Sequence, residues 1–141
     1  MAEVRPATPA DVADAVELMV EAYQTRFPWL GEPEAACRAR FSKRFAERRQ
    51  HLRVIGAIGA LEGLSEQIGS HINLLFARNP GSGVGLRLLR AAEMRGAWSL
   101  DCFAANHRAQ AFYRRAGWTC TATFWRPLLG QVHQQVEFRR L

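Results

Sequence analysis

The chain is 141 residues long, 48% hydrophobic and 23% charged, with a formal net charge of +6. That is one domain's worth of sequence, and its apolar content closes a core without disulfide or metal staples. No stretch approaches the ~20 apolar residues that a bilayer-spanning helix needs, and the N-terminus lacks the charged-then-apolar pattern of a secretory leader, so a soluble cytoplasmic protein is expected.

In chain order, Glu3-Val4-Arg5-Pro6-Ala7 reads as a short strand over residues 2–6. Thr8-Pro9-Ala10-Asp11 then opens a capped helix with Pro at its first position. Apolar residues at Val12, Val16, Met19, Val20 and Tyr23 mark one face of that helix, predicted over 9–24. A loop over 25–32 leads to a second helix, 33–49. Its apolar row of Cys37, Phe41 and Phe45 is surrounded by Arg38, Arg40, Lys43, Arg44, Arg48 and Arg49, the pattern of an amphipathic helix with a solvated basic face. A strand over 52–61, apolar through Val54-Ile55-Gly56-Ala57-Ile58, is expected in the centre of a sheet, with a turn near Glu62-Gly63. Strand 67–77, helix 83–95, strand 98–104, helix 107–116 and strands 118–126 and 131–138 follow, the last two joined through Pro127-Leu128-Leu129-Gly130. The alternation predicts a single α/β domain over 1–141, with no repeat or linker.

The run Phe76-Ala77-Arg78-Asn79-Pro80-Gly81-Ser82-Gly83-Val84-Gly85 leaves an apolar stretch and enters a leucine-rich one, a strand, glycine loop and helix start. Three glycines in five positions at the positive end of a helix suit an anion cradle, although such a run also serves as an ordinary strand-to-helix turn. A nucleoside-triphosphate P-loop is excluded, because Gly85 is followed by Leu86 and Arg87 rather than Lys-Ser or Lys-Thr. A dinucleotide fingerprint spaces its glycines differently and normally opens a domain.

About twenty residues on stands Leu100-Asp101-Cys102-Phe103-Ala104-Ala105-Asn106-His107-Arg108-Ala109-Gln110-Ala111-Phe112-Tyr113-Arg114-Arg115-Ala116-Gly117-Trp118. Asn106 suits a helix N-cap, Ala109 is small enough for a ligand to lie close, and Gly117 suits a helix terminator. Together with the glycine loop, this run resembles the GNAT superfamily of N-acetyltransferases, in which a strand delivers an Asn, the next helix carries Ala and a Phe-Tyr pair, and a Gly before an aromatic residue ends it. The resemblance extends from about residue 2 to the Trp118 strand. It implies an α+β fold with a central mixed, mostly antiparallel sheet of six to seven strands flanked by about four helices.

Two departures stand out. The approach to Gly81 is about two residues shorter than is usual in that family, with Pro80 where Gln or Arg is common. The helix ending near Arg49 runs almost directly into strand 52–61, so the sheet is expected to lack one strand or to make it very short.

The resemblance implies acetyl-CoA as acyl donor. Its pyrophosphate would lie on the backbone of Gly81, Ser82, Gly83, Val84 and Gly85, its pantetheine arm between the strands ending near Ala77 and Ala104, and its thioester beside main-chain groups of Phe76, with Asn106 and Ala109 on the other side. Tyr113 stands at the family's tyrosine position and is the candidate proton donor to the departing thiolate. His71, at the start of the acyl-bearing strand, and Glu62, from the preceding turn, are candidate bases, alongside ordered water. The family selects its acceptor with the first two helices and the loop between them, where Tyr23, Arg26, Phe27 and Trp29 stand. Aromatic residues there suit an acceptor pocket, and Arg26 suits a substrate carboxylate.

The reading is an acyl-CoA-dependent N-acetyltransferase acting by direct attack of a small-molecule or protein amine in a ternary complex. The alternative is a GNAT-like module that binds CoA, a metabolite or a protein without catalysis. A nucleic-acid partner is the weakest option: the positive charge comes from eighteen arginines and one lysine, with no recognised nucleic-acid motif. Cys37, Cys102 and Cys120 match neither a disulfide framework nor metal-ligand spacing, and the four histidines form no metal constellation. Trp125 and Phe138, read as exposed, make a homodimer plausible.

Overall fold

The structure is a computed structural model that describes residues 2–141. Its first strand, β1 (Val4–Pro6), is tied to the first helix by one buried carboxylate. The backbone N–H and Oγ of Thr8 donate to Asp11 at 2.8 and 2.9 Å, and Arg5 clamps the same group from two nitrogens at 2.8 and 2.9 Å. The Arg5 hydrogen bond, against the cost of burial, holds the Asp11 carboxyl well below the usual carboxylate range. This fixes the entry angle of α1 (Val12–Arg26), which buries Val16, Met19, Val20 and Tyr23 as its periodicity predicts. The predicted loop after it contains a short 3₁₀ turn, Pro28–Leu30.

Helix α2 (Glu34–Arg48) buries Cys37, Phe41 and Phe45 completely. Its basic face is more than a solvated one. Arg38 pairs with Glu17 of α1 at 2.6 Å, Arg40 with Glu32 at 2.9 Å, and Arg44 and Arg48 reach the fully buried Glu66 at 2.6 and 3.7 Å, so four of these arginines bind the helix to the rest of the fold.

The next three strands correct the expected pattern. They are β2 (Leu52–Ala57), β3 (Ala60–Ile68) and β4 (His71–Ala77), and the first turn falls at Ile58-Gly59, where Gly59 has φ +82°, not at Glu62-Gly63. Gly63 lies inside β3 because a helix crosses it. A Cβ there would sit 2.8 Å from the Phe76 carbonyl oxygen, 2.8 Å from Val84 Cγ1 and 3.0 Å from Leu88 Cδ1. The glycine marks a close approach, not a turn. Ile58, expected in a buried strand, is 60% exposed at the turn. The apparently absent strand is therefore present, and the sheet has seven strands in the order β1-β2-β3-β4-β5-β7-β6. β2 lies next to the edge rather than at the centre. Val54 and Ile55 are nonetheless both buried, one in the core under α1 and α2, the other under α3.

The rest of the sheet comprises β5 (Ser99–Phe103), β6 (Thr119–Leu128) and β7 (Gln131–Arg139), with α3 (Val84–Met94) and α4 (His107–Arg115) packed on the face opposite α1 and α2. Only β4 and β5 pair in parallel, so the sheet is mixed and mostly antiparallel, as expected. Gly117, at φ +95°, ends α4. Leu129 and Gly130, both at positive φ, turn β6 into β7, and Pro127 is accommodated because β6 is an edge strand. β7 lies inside the sheet between β5 and β6, which corrects the reading of Phe138. Its side chain is fully buried, 5.6 Å from the Tyr113 ring, whereas Trp125 is 66% exposed. Among the described residues no helix is long and apolar enough to cross a membrane, and all three cysteines are free.

Candidate functional site

The site begins with a defect in strand pairing. β4 and β5 are joined only at His71 with Ser99 and Ile72 with Leu100. On the other side of β4, Gln67 pairs with Ile72 and Glu66 with Leu74, so Asn73 is an extra residue without a partner. Such a bulge bends its strand, and here it stands where β4 parts from β5. The two strands diverge into a fork, leaving the edge of β4 from Asn73 to Ala77 unpaired toward β5. A cleft of about 780 Å³ opens along it.

At the open end of the fork, the chain turns into α3. Arg78 N–H donates to the Glu62 carbonyl at 2.8 Å, and Ser82 N–H to that of Asn79 at 3.3 Å. Gly81 and Gly83 have φ of +85° and +88°, and a Cβ on either would meet nothing within 4 Å. Their glycines serve the left-handed backbone, while the space before them stays open. The first-turn N–H groups of α3 have no partner within the helix, and that turn carries no acidic residue. Pro80, Gly81, Gly83 and Gly85 line the cleft. The Val84 side chain instead packs in the core beside Leu88, and Ser82 Oγ lies 3.5 Å from the Val84 nitrogen. These two residues offer the cradle backbone rather than side chains.

The facing wall comes from α4. Asn106 caps it, its Oδ1 accepting from Ala109 N–H at 3.2 Å. Ala109, Phe112 and Tyr113 follow on the cleft side. The Tyr113 ring lies 5.3 Å from Phe112 and 5.6 Å from Phe138, and burial pushes its phenol pKa upward, so the group stays protonated at neutral pH. Cys102 is the thiol on the wall. Burial, reinforced by Asp101, pushes it up to about 12, which leaves it a poor nucleophile.

At the closed end of the fork, His71 is held between two groups of β5. Its Nδ1 lies 2.8 Å from Ser99 Oγ and its Nε2 3.3 Å from Asp101 Oδ2, and Arg126 reaches the same oxygen at 3.2 Å. Burial works against the Asp101 charge, but His71 and Arg126 outweigh it and hold the carboxyl below its ordinary value. Glu62 is not in a turn near this cluster. It is the exposed extra residue of a second bulge, on β3 opposite Ile55 and Gly56, and does not line the cleft.

On the α1 side, Tyr23 and Phe27 are largely core residues, with ring centroids 5.0 Å apart and edges on the cleft. Phe76 joins them, 5.9 Å from Tyr23. Arg26 Nη2 donates to the carbonyls of Ala77 and Arg78 at 2.5 and 3.2 Å. Trp29 lies off this wall. It packs on Phe103 at 5.1 Å and borders a separate depression with Trp125 and His133. Asn73, Asp101 and Phe103 also line the cleft and were not singled out from sequence. The period-two alternation of Ser99, Asp101 and Phe103 on β5 was the available signal for two of them.

The sequence matches no family model and no curated protein. Solved structures do match over the whole chain. YjaB from Escherichia coli superposes with a TM-score of 0.80 at 18% identity, covering 100% of this chain and 98% of that one. A GCN5-related N-acetyltransferase from Rhodopseudomonas palustris gives 0.68 at 19%, covering 100% and 96%. The protein yncA from Salmonella typhimurium, solved with its cofactor acetyl-CoA, gives 0.68 at 16%, covering 97% and 91%. The chain has the fold of the GNAT N-acetyltransferases.

Proposed function

We propose that this GNAT-fold chain is an acyl-CoA-dependent N-acetyltransferase, and the observation that carries the reading is the β4–β5 fork opening onto the glycine cradle of α3. The residues fit such a donor. The cradle offers the N–H groups of Gly81, Gly83 and Gly85 with no acidic neighbour, the bare edge of β4 suits an amide-bearing arm, and the cleft volume of about 780 Å³ is within the range of ligand sites. The structural likeness of yncA, solved with acetyl-CoA, supports the same choice. When bound, the thioester supplies an acyl group activated toward amines.

The chain's own residues then have separable tasks. Backbone N–H groups of Gly81, Gly83 and Gly85 hold the pyrophosphate, those of Ser82 and Val84 join them by exchanging their long contacts to the Asn79 carbonyl and Ser82 Oγ, and the α3 dipole adds ~0.3–1 kcal/mol per nearby charge. Main-chain groups of Phe76 and Ala77 orient the thioester, where an N–H polarises its carbonyl as charge develops. Asn106 fixes the start of α4, and Ala109 leaves room beside it. Tyr113, kept protonated by burial, donates to the departing thiolate. His71, five residues along β4 from Phe76, accepts the amine's proton through ordered water at Nδ1, because Nε2 keeps its hydrogen on the Asp101 carboxylate. The imidazolium so formed donates from both ring nitrogens, to Ser99 and Asp101, and so suits both partners. Tyr23, Arg26 and Phe27 border the acceptor side, and Trp29 shapes it through Phe103. The raised Cys102 pKa favours direct transfer over an acyl-cysteine route.

The second reading is a binding module without turnover, favoured by the engagement of both His71 nitrogens. Incubation with acetyl-CoA and a panel of primary amines separates the two. Transfer predicts thiol release matched by acetylated amine in mass spectra, diminished in Tyr113→Phe. Saturable acetyl-CoA binding with no acetylated product from any amine or protein substrate would refute transfer and leave the module.

A further inference from the structure

Six arginines line the cleft: Arg26, Arg40, Arg44, Arg108, Arg115 and Arg126. Three carry carboxylate partners, Arg40 on Glu32, Arg44 on Glu66 and Arg126 on Asp101. Arg26, Arg108 and Arg115 have no such partner within 4 Å among the described residues. Arg26 is the unusual member. It is only partly exposed, and a positive charge removed from water without a counterion is costly. One of its nitrogens serves the carbonyls of Ala77 and Arg78, which leaves the rest of the guanidinium fork without a carboxylate. Glu21, the acid whose charge acts on Arg26, is engaged with Arg78 at 3.2 Å. Burial, followed by the like charge of Arg108 from the first turn of α4, lowers the pKa of Arg26. Arg26 and Arg108 thus line the same cleft from α1 and from the start of α4, a cleft that Phe27, Phe76 and Phe103 also line, and the Arg26 guanidinium lies 5.9 Å from the Phe76 ring centroid.

We propose that Arg26 and Arg108 form an anion subsite on the acceptor side of the cleft, and that the acceptor is an amine that also bears a carboxylate. The inference rests on the acyltransferase reading for the word acceptor, but the subsite itself is testable without turnover. Arg26, held by its Nη2 on the backbone, supplies the N–H groups of Nε and Nη1 as the donors left for a carboxylate. Arg108, on the exposed start of α4, supplies a mobile second charge. The neighbouring rings favour an apolar or aromatic body between the amine and the carboxylate.

The probe pair is phenylacetate and 2-phenylethanol, which share the ring and differ in the carboxylate. Each is titrated into the full-length protein, with and without saturating CoA, while the arginine Nε–H signals are followed by NMR. The expected result is saturable movement of the Arg26 and Arg108 signals by phenylacetate, with affinity about tenfold or more above the alcohol. Arg108→Gln, on an exposed residue, should weaken phenylacetate binding by about tenfold while the alcohol is unaffected. Arg26→Lys, which keeps the charge and loses the guanidinium's fixed donors, should weaken it also. Equal affinity for acid and alcohol, or movement of other arginines only, overturns the subsite. If Arg108→Gln instead weakens acetyl-CoA and spares phenylacetate, the arginine serves the donor's phosphates and the proposal fails. Absence of CoA binding with phenylacetate still held by Arg26 and Arg108 would remove the acyltransferase reading and leave the anion subsite standing.

Discussion

Gly63→Ala tests the link between strand pairing and the cleft. The added methyl would lie 2.8 Å from the Phe76 carbonyl oxygen and from Val84 Cγ1, and 3.0 Å from Leu88 Cδ1. Ordinary carbon contacts are about 3.5–4.0 Å, so β3 and α3 must part by roughly 0.5–1 Å. The oxygen belongs to the β4 backbone at the fork and cannot swing aside, and Val84 opens the helix that carries the cradle. Overpacking of this kind costs about 1–3 kcal/mol. In a domain of this size that lowers Tm by roughly 3–10 °C. Thermal and urea unfolding measure the loss, and acetyl-CoA titration reports the displaced cradle as weaker binding. Gly59→Ala is the control. It sits at φ +82° in open space and bears only the left-handed backbone penalty of about 1 kcal/mol, with no effect on the cleft. Had Gly63 stood in an open turn, alanine there would stabilise by about 0.4–1 kcal/mol through the unfolded chain. A Gly63→Ala protein as stable as the parent would refute the packing of α3 on β3.

Tyr113→Phe keeps the ring packing against Phe112 and Phe138, so stability should hold within about 1 kcal/mol. Steady-state kinetics should show kcat lowered roughly a hundredfold with acetyl-CoA affinity unchanged, and an unchanged kcat would remove the proton-donor role. Asp11 has a folded pKa held below its unfolded value of about 3.9, so its contribution is present above that pH and is lost as pH falls toward the folded value. Asp11→Asn should therefore lower stability at pH 7 by about 3 kcal/mol and flatten the acid limb of stability against pH, whereas parallel curves for the two proteins would contradict the buried pair. Phe138→Ala should cost about 3–5 kcal/mol in urea unfolding and Trp125→Ala less than about 0.5, because one side chain is fully buried and the other 66% exposed. Equal losses would overturn the placement of β7 inside the sheet.

Much of the fold was legible because local chemistry and global packing agree. Asn106 and Gly117 cap and end α4 where their backbone preferences put them, and the Cys37, Phe41 and Phe45 row faces inward at helical spacing. The errors came from glycine and from strand order. Gly63 answers a helix crossing over it, a contact 21 residues away in sequence at Val84, so its neighbours gave no hint that it was not a turn residue. Phe138 reads as an edge residue in chain order, and only the return of β7 between β5 and β6 buries it. In the cleft, the glycine cradle and the α4 wall were visible as contiguous motifs. The cluster of His71, Ser99 and Asp101 was not, because it forms across a parallel pairing of strands 28 residues apart. Glu62 failed as a candidate for the related reason that a bulge, not a turn, holds it.

The central claim is that the fork and cradle hold an acyl-CoA, and calorimetric titration with acetyl-CoA, CoA and 3′-dephospho-CoA in moderate salt tests it most directly. The account predicts saturable micromolar binding of acetyl-CoA that is severely weakened in Gly83→Val, whose side chain would oppose the φ of +88° at the cradle. No saturable heat from a protein whose NMR spectrum shows it folded would contradict the claim.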